Sequence, residues 1–84
     1  MVDFTDDGET DRDDRRYRFF TFREGVSWRD CHIDWMAARR DIAEWANAVG
    51  VTVDMPESRQ TVRIYVDENP SYETAVVEFK IRWC

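Results

Sequence analysis

Eighty-four residues make one domain at most, and a 43% hydrophobic content with four Trp and five Phe excludes a chain disordered throughout. No apolar run nears the ~18 residues of a membrane-spanning helix, and the acidic start lacks the basic-then-apolar plan of a secretory signal, so a cytoplasmic protein is expected. The net charge of −6 is unevenly placed: residues 1–14 carry seven carboxylates against Arg12 alone, and the rest of the chain balances.

The N-terminal stretch MVDFTDDGETDRDD offers only Val2 and Phe4 for burial. Its composition predicts an acidic, flexible tail over 1–14, followed by a single α+β domain over 15–84. Asp6, Asp7, Asp11, Asp13 and Asp14 are the tail residues available to a basic partner or to the basic strand that follows. The plainest reading is a solvated tail without specific contacts.

RRYRFFTFR (15–23) reads as a strand, but its aromatics fall on both alternating sets. Tyr17 and Phe19 point one way, Phe20 and Phe22 the other, so both faces of this strand ask for cover. Glu24-Gly25-Val26 makes a turn. Ser27 stands where a helix N-cap belongs, with Asp30 in the place of a capping-box acid.

Trp28, Cys31, Trp35, Ala38, Ile42, Trp45 and Val49 then recur at intervals of three and four. At this spacing they form one apolar stripe, which predicts an amphipathic helix ended by Gly50. Ile33 and Met36 fall off the stripe and mark a secondary contact patch. His32 beside Cys31 points about 100° away from it, so the pair makes no catalytic dyad. No second histidine and no CxxC supplies a metal set, and no cofactor is predicted. Two cysteines, Cys31 and Cys84, are too few for a disulfide framework.

Val51 to Met55 alternates as a short strand before Pro56 and the loop Glu57-Ser58-Arg59. QTVRIYVD (60–67) alternates with Val62, Ile64 and Val66 inward and Thr61, Arg63 and Tyr65 outward. Turn residues at 68–71 lead to a last predicted strand, 73–83, with Ala75, Val77, Phe79, Ile81 and Trp83 inward. The order β-α-(β)-β-β predicts a small two-layer α+β sandwich: an antiparallel sheet of three to four strands with one helix on one face.

Two layers leave one sheet face open. With Tyr17 and Phe19 in the core, that face carries Arg16, Arg18, Phe20, Phe22, Arg63, Tyr65 and Arg82. With the register of the first strand reversed, Tyr17 and Phe19 are outside instead. Either way an aromatic pair lies beside arginines, a composition enriched in the cores of protein interfaces.

The expected function is therefore a non-catalytic protein–protein interaction module, an adaptor, regulator or inhibitor of the kind phages and mobile elements use against host machinery. It would bind through the open sheet face or a strand edge. A second copy is one such partner, in a symmetric dimer that buries Phe20 and Phe22. The alternative is single-stranded nucleic acid, with bases on the aromatics, phosphates on the arginines, and the acidic tail as competitor or phosphate mimic. The aromatic first strand superficially resembles that of an RNA-recognition motif, without its glycines or its β-α-β-β-α-β order. The run of aromatic strand, helix, VDMPE loop and V-x-I strand is loosely similar to pterin-carbinolamine dehydratases. The His-His-Pro loop and further histidine that this resemblance implies are absent, since no histidine follows His32.

Overall fold

A computed structural model describes residues 3–56 and 59–84. Val2 and, within the expected loop, Glu57 and Ser58 lie outside the described residues. The elements are β1 (Phe4–Arg12), β2 (Arg15–Phe22), α1 (Trp28–Val49), β3 (Val53–Asp54), β4 (Thr61–Tyr65) and α2 (Tyr72–Trp83). The four strands form one antiparallel sheet in the order β1-β2-β4-β3. Both helices pack on one face of it, so the fold is the expected small α+β sandwich, with the order β-β-α-β-β-α. It consists of two ββα units that meet where β2 pairs with β4.

The expected flexible tail is instead an edge strand. Phe4 is only 1% exposed and its ring lies 5.1 Å from Phe22, 5.3 Å from Phe79 and 6.2 Å from Trp35. Asp13 and Asp14 turn the chain with φ of 54° and 62°, the pair of left-handed residues that a two-residue hairpin favours. That turn sets the carboxylates of β1 opposite the arginines of β2. Charge that would have kept an isolated tail solvated becomes a ladder of cross-strand pairs.

β1 also bulges. Asp6 faces Phe20 and Glu9 faces Arg18, so Asp7 and Gly8 together oppose Phe19. Gly8 sits at φ 86°, and its N–H donates to the Asp6 carboxylate at 2.9 Å.

Helix α1 follows its stripe. Cys31, Trp35, Ile42 and Trp45 are buried, joined by Ala46, whereas the terminal stripe residues Trp28 and Val49 overhang the sheet and are exposed. Ser27 precedes the helix, but its hydroxyl makes no capping bond; its carbonyl accepts the N–H of Asp30 at 3.0 Å. Gly50 ends the helix at φ 75° with its N–H on the Ala46 carbonyl.

The expected last strand is helix α2. Residues 72–83 satisfy two periods at once, and the helical one buries Ala75, Val76 and Phe79 and half-buries Tyr72 and Trp83, while leaving Val77 and Ile81 outside. As a helix the segment packs Phe79 against Phe20 (4.4 Å), Phe4, Trp45 and Trp83, filling the space beside α1 over β1 and β2. Glu73 in the first turn, with Lys80 and Arg82 in the last, suits the helix dipole. The loop before it is tied down by Asn69. Its side chain accepts from the Thr52 N–H and donates to the carbonyls of Thr52 and Tyr65, all within 3.0 Å.

Candidate protein-binding face

The register of β2 decides which residues look away from the helices. Phe20 pairs with Val62 and Phe22 with Phe4, all four buried under α1 and α2. Tyr17, Phe19 and Thr21 therefore occupy the opposite, open face. They lie beside Tyr65, Arg63 and Thr61 of β4 on one side and, through Tyr17, Thr10 of β1 on the other. Arg12 and Arg15, paired across the end of the β1–β2 hairpin, complete the set. Arg59, from the segment leading into β4, lines the same surface.

On this face the rings of Tyr17 and Tyr65 stand 5.2 Å apart, and Phe19 lies 6.2 Å from Tyr17. No helix covers them, yet Tyr17 is 7% and Tyr65 8% exposed. Arginines cover them: the Arg15 guanidinium lies 3.8 Å above the Tyr65 ring and that of Arg63 5.2 Å from the Tyr17 ring. Arg15 is held in turn by Glu68 at 2.7 Å and Arg63 by Asp54 at 3.6 Å. Asp54 also accepts the Tyr65 hydroxyl at 3.3 Å. Arg12 and Arg59 form no ion pair among the described residues.

Two adjoining concavities, of about 410 and 240 Å³, share Arg12, Tyr17, Arg59 and Arg63. The larger is lined by four guanidinium groups, those of Arg12, Arg15, Arg59 and Arg63, against one carboxylate, Asp13. Within a chain of net charge −6 this is a concentrated basic surface. Arg12 directly opposite Arg15 also costs stability, because like charges facing each other across a ladder repel. A concavity of about 630 Å³ over residues 66–74 carries the carboxylates Asp67 and Glu73 and no cation.

Of the residues expected on the open face, Arg63 and Tyr65 are there. Phe20 and Phe22 are core residues, because β2 adopts the reversed register. A symmetric dimer that buries those two rings has nothing to bury. Arg16 and Arg18 lie on the helix side and are already paired, Arg16 with Glu9 at 3.0 Å and Asp11 at 3.8 Å, and Arg18 with Asp6 at 3.0 Å. Arg82 belongs to α2, in the helix layer on the other side of the sheet. Ile33, 84% exposed, and Met36 lie on the outer side of α1, as the stripe implied.

Three of the five carboxylates singled out in the expected tail, Asp6, Asp7 and Asp11, have structural partners, while Asp13 and Asp14 form the hairpin turn. Asp6 binds Arg18 and also Lys80 at 3.3 Å, Asp7 accepts the Thr21 hydroxyl, and Asp11 faces Arg16. Partial burial works to raise the Asp6 pKa. Hydrogen bonds from Arg18, the Gly8 N–H and Lys80 outweigh it and hold the group below the ordinary aspartate value. Glu9 is likewise lowered, chiefly by the Tyr72 hydroxyl at 2.7 Å and then by Arg16. These charges are occupied in holding β1 to β2 and α2.

Cys31 is buried with its thiol 3.0 Å from the Gln60 side-chain oxygen, and the His32 ring stacks on Trp28 at 4.4 Å. Among the described residues no group of three His, Cys, Asp or Glu side chains is placed to hold a metal ion. No described helix is long and apolar enough to cross a membrane.

Sequence reading missed Arg12, Arg15 and Arg59, and left Tyr17 and Phe19 as one of two registers. A signal was present. Phe20 and Phe22 have no polar atom, whereas the Tyr17 set carries a hydroxyl, so the purely apolar pair is the better core set. No family model, no curated protein and no solved structure matches the chain.

Proposed function

We propose that this protein is a non-catalytic interaction module, an adaptor, regulator or inhibitor, that binds another protein through the open face of its sheet. The observation that carries this reading is the cluster of Arg12, Arg15, Arg59 and Arg63 around Tyr17, Phe19 and Tyr65 on the one sheet face without helices. Arginine and tyrosine are the residues that dominate interface energetics. The strand edges support the reading less. β1 is bulged and acidic along its outer edge, and β3 is two residues long, both devices that discourage addition of a strand. Work in the cytosol fits the two cysteines, neither of which is in a disulfide.

Site-specific photocrosslinking in the source cells tests the reading, with a benzoylphenylalanine at position 19 or, as the comparison, at position 33. Protein adducts concentrated at position 19 are expected. Adducts at position 33 with none at 19 would move the interface to the helix layer, and nucleic-acid adducts at 19 would end the protein reading.

A further inference from the structure

We infer that the partner presents an acidic, extended segment to this face, with its carboxylates meeting Arg12 and Arg59. The inference rests on the reading of the open face as the interface and adds the chemistry of what it holds.

Charge sets the class of ligand. The larger concavity brings four guanidinium groups together with a single carboxylate. Arg15 and Arg63 are spent on Glu68 and Asp54 and on lidding the two tyrosines. Among the described residues Arg12 and Arg59 make no side-chain hydrogen bond or ion pair, and a carboxylate is the group their planar forks fit in bidentate fashion. Strands in a sheet are about 4.8 Å apart, so the face from β1 to β4 spans roughly 10 Å. In an extended segment every second side chain is on one side, about 7 Å from the next. Arg12 and Arg59 line the same two concavities, so one extended segment lying along them can present carboxylates to both.

The same observations disfavour a nucleic acid. Stacking needs a free ring face, and Tyr17 and Tyr65 are buried beneath guanidinium groups. Next to the basic concavity the surface turns acidic, lined by Asp11, Asp13, Asp14 and Asp67 beside Arg12 and Arg16. A phosphate backbone leaving the groove that way would run into four carboxylates, whereas a short acidic segment ends before them.

The test is binding anisotropy on the full chain with three labelled probes: octaglutamate, octaglutamine and a thymidine oligonucleotide of equal length. Octaglutamate is expected to bind at least about ten-fold tighter than octaglutamine, a difference of ~1.4 kcal/mol. The double variant R12E/R59E should lose that preference. R29E/R40E, which reverses two exposed arginines on α1, should behave as the unaltered protein. Equal affinity for octaglutamate and octaglutamine overturns the inference, as does an equal loss in R29E/R40E. Tighter binding of the oligonucleotide than of octaglutamate overturns it in favour of nucleic acid. Protein crosslinks at position 19 combined with no preference for octaglutamate would sink this inference and leave the interface reading standing.

Discussion

The two faces of the sheet draw aromatic residues from the same strand and use them in opposite ways. On the helix side Phe20 and Phe22 sit among the rings of Phe4, Trp35 and Phe79. On the open side Tyr65 and Tyr17 are roofed by Arg15 and Arg63, themselves held by Glu68 and Asp54, and Phe19 lies beside Tyr17. One face is closed by packing that nothing in solution can exchange with. The other is closed by Arg15 and Arg63, each held by one partly exposed ion pair worth on the order of 1 kcal/mol or less. A strand with two greasy faces therefore needs no second layer. It needs helices over one side and charged side chains over the other.

Substitution of neighbouring residues on β2 separates the faces most sharply. Phe20→Ala should destabilise the fold by about 3–5 kcal/mol, as expected for a buried aromatic. That is a large share of the roughly 4–13 kcal/mol available to a domain of this size. Phe19→Ala, one residue away, should cost only about 1 kcal/mol, since its ring is half-buried. Urea unfolding of the two variants gives both numbers, and similar losses would mean that the open face is as much core as the other. Phe4→Ala ranks with Phe20→Ala, again about 3–5 kcal/mol. If it cost nothing, the N-terminal segment would be the tail its composition suggests rather than a strand.

How far these roles were legible in the sequence depends on whether a pattern was local. The stripe of α1 admits one period only, so the helix and its inward residues follow from spacing. Residues 72–83 admit two, and the choice between them is made by the cavity between α1 and the sheet, which no local pattern describes. The acidic segment was misread for a similar reason: composition counts its charges but not the register that sets Glu9 and Asp11 near Arg16 and Asp6 near Arg18. Of the candidate face, Arg63 and Tyr65 were legible because β4 alternates cleanly. Arg15, Tyr17 and Phe19 depended on the parity of β2. Arg12 was hidden in the supposed tail, and Arg59 in a loop.

Acid should loosen the helix-side rim, where Asp6 joins β1 to Arg18 of β2 and Lys80 of α2. The Asp6 pKa is lower in the folded chain than in the unfolded one, so its contribution is fully present above the unfolded value of about 3.9. It is lost as pH falls through the lower, folded value. Asp6→Asn should therefore be less stable than the unaltered protein near neutrality, by about 1 kcal/mol after discounting the exposed Lys80. The gap should close as the pH drops below that range. A stability difference that stayed constant across the acid range would show that the loss comes from packing rather than from the charge of Asp6.

The smallest expected change bears most directly on the division of labour. Arg12 stands directly opposite Arg15 at the end of the hairpin, and the repulsion works against the fold without any compensating contact among the described residues. Arg12→Thr puts a β-branched residue in a strand position and removes that repulsion, so it should stabilise the protein by a few tenths of a kcal/mol, about 0.3–0.5. The same substitution removes one of the two guanidinium groups left for a partner, so it should weaken binding of an acidic segment. A gain in stability with a loss of binding is what a residue kept for recognition would give. A loss of stability would instead make Arg12 part of the lid, holding the aromatic face shut rather than holding a partner to it.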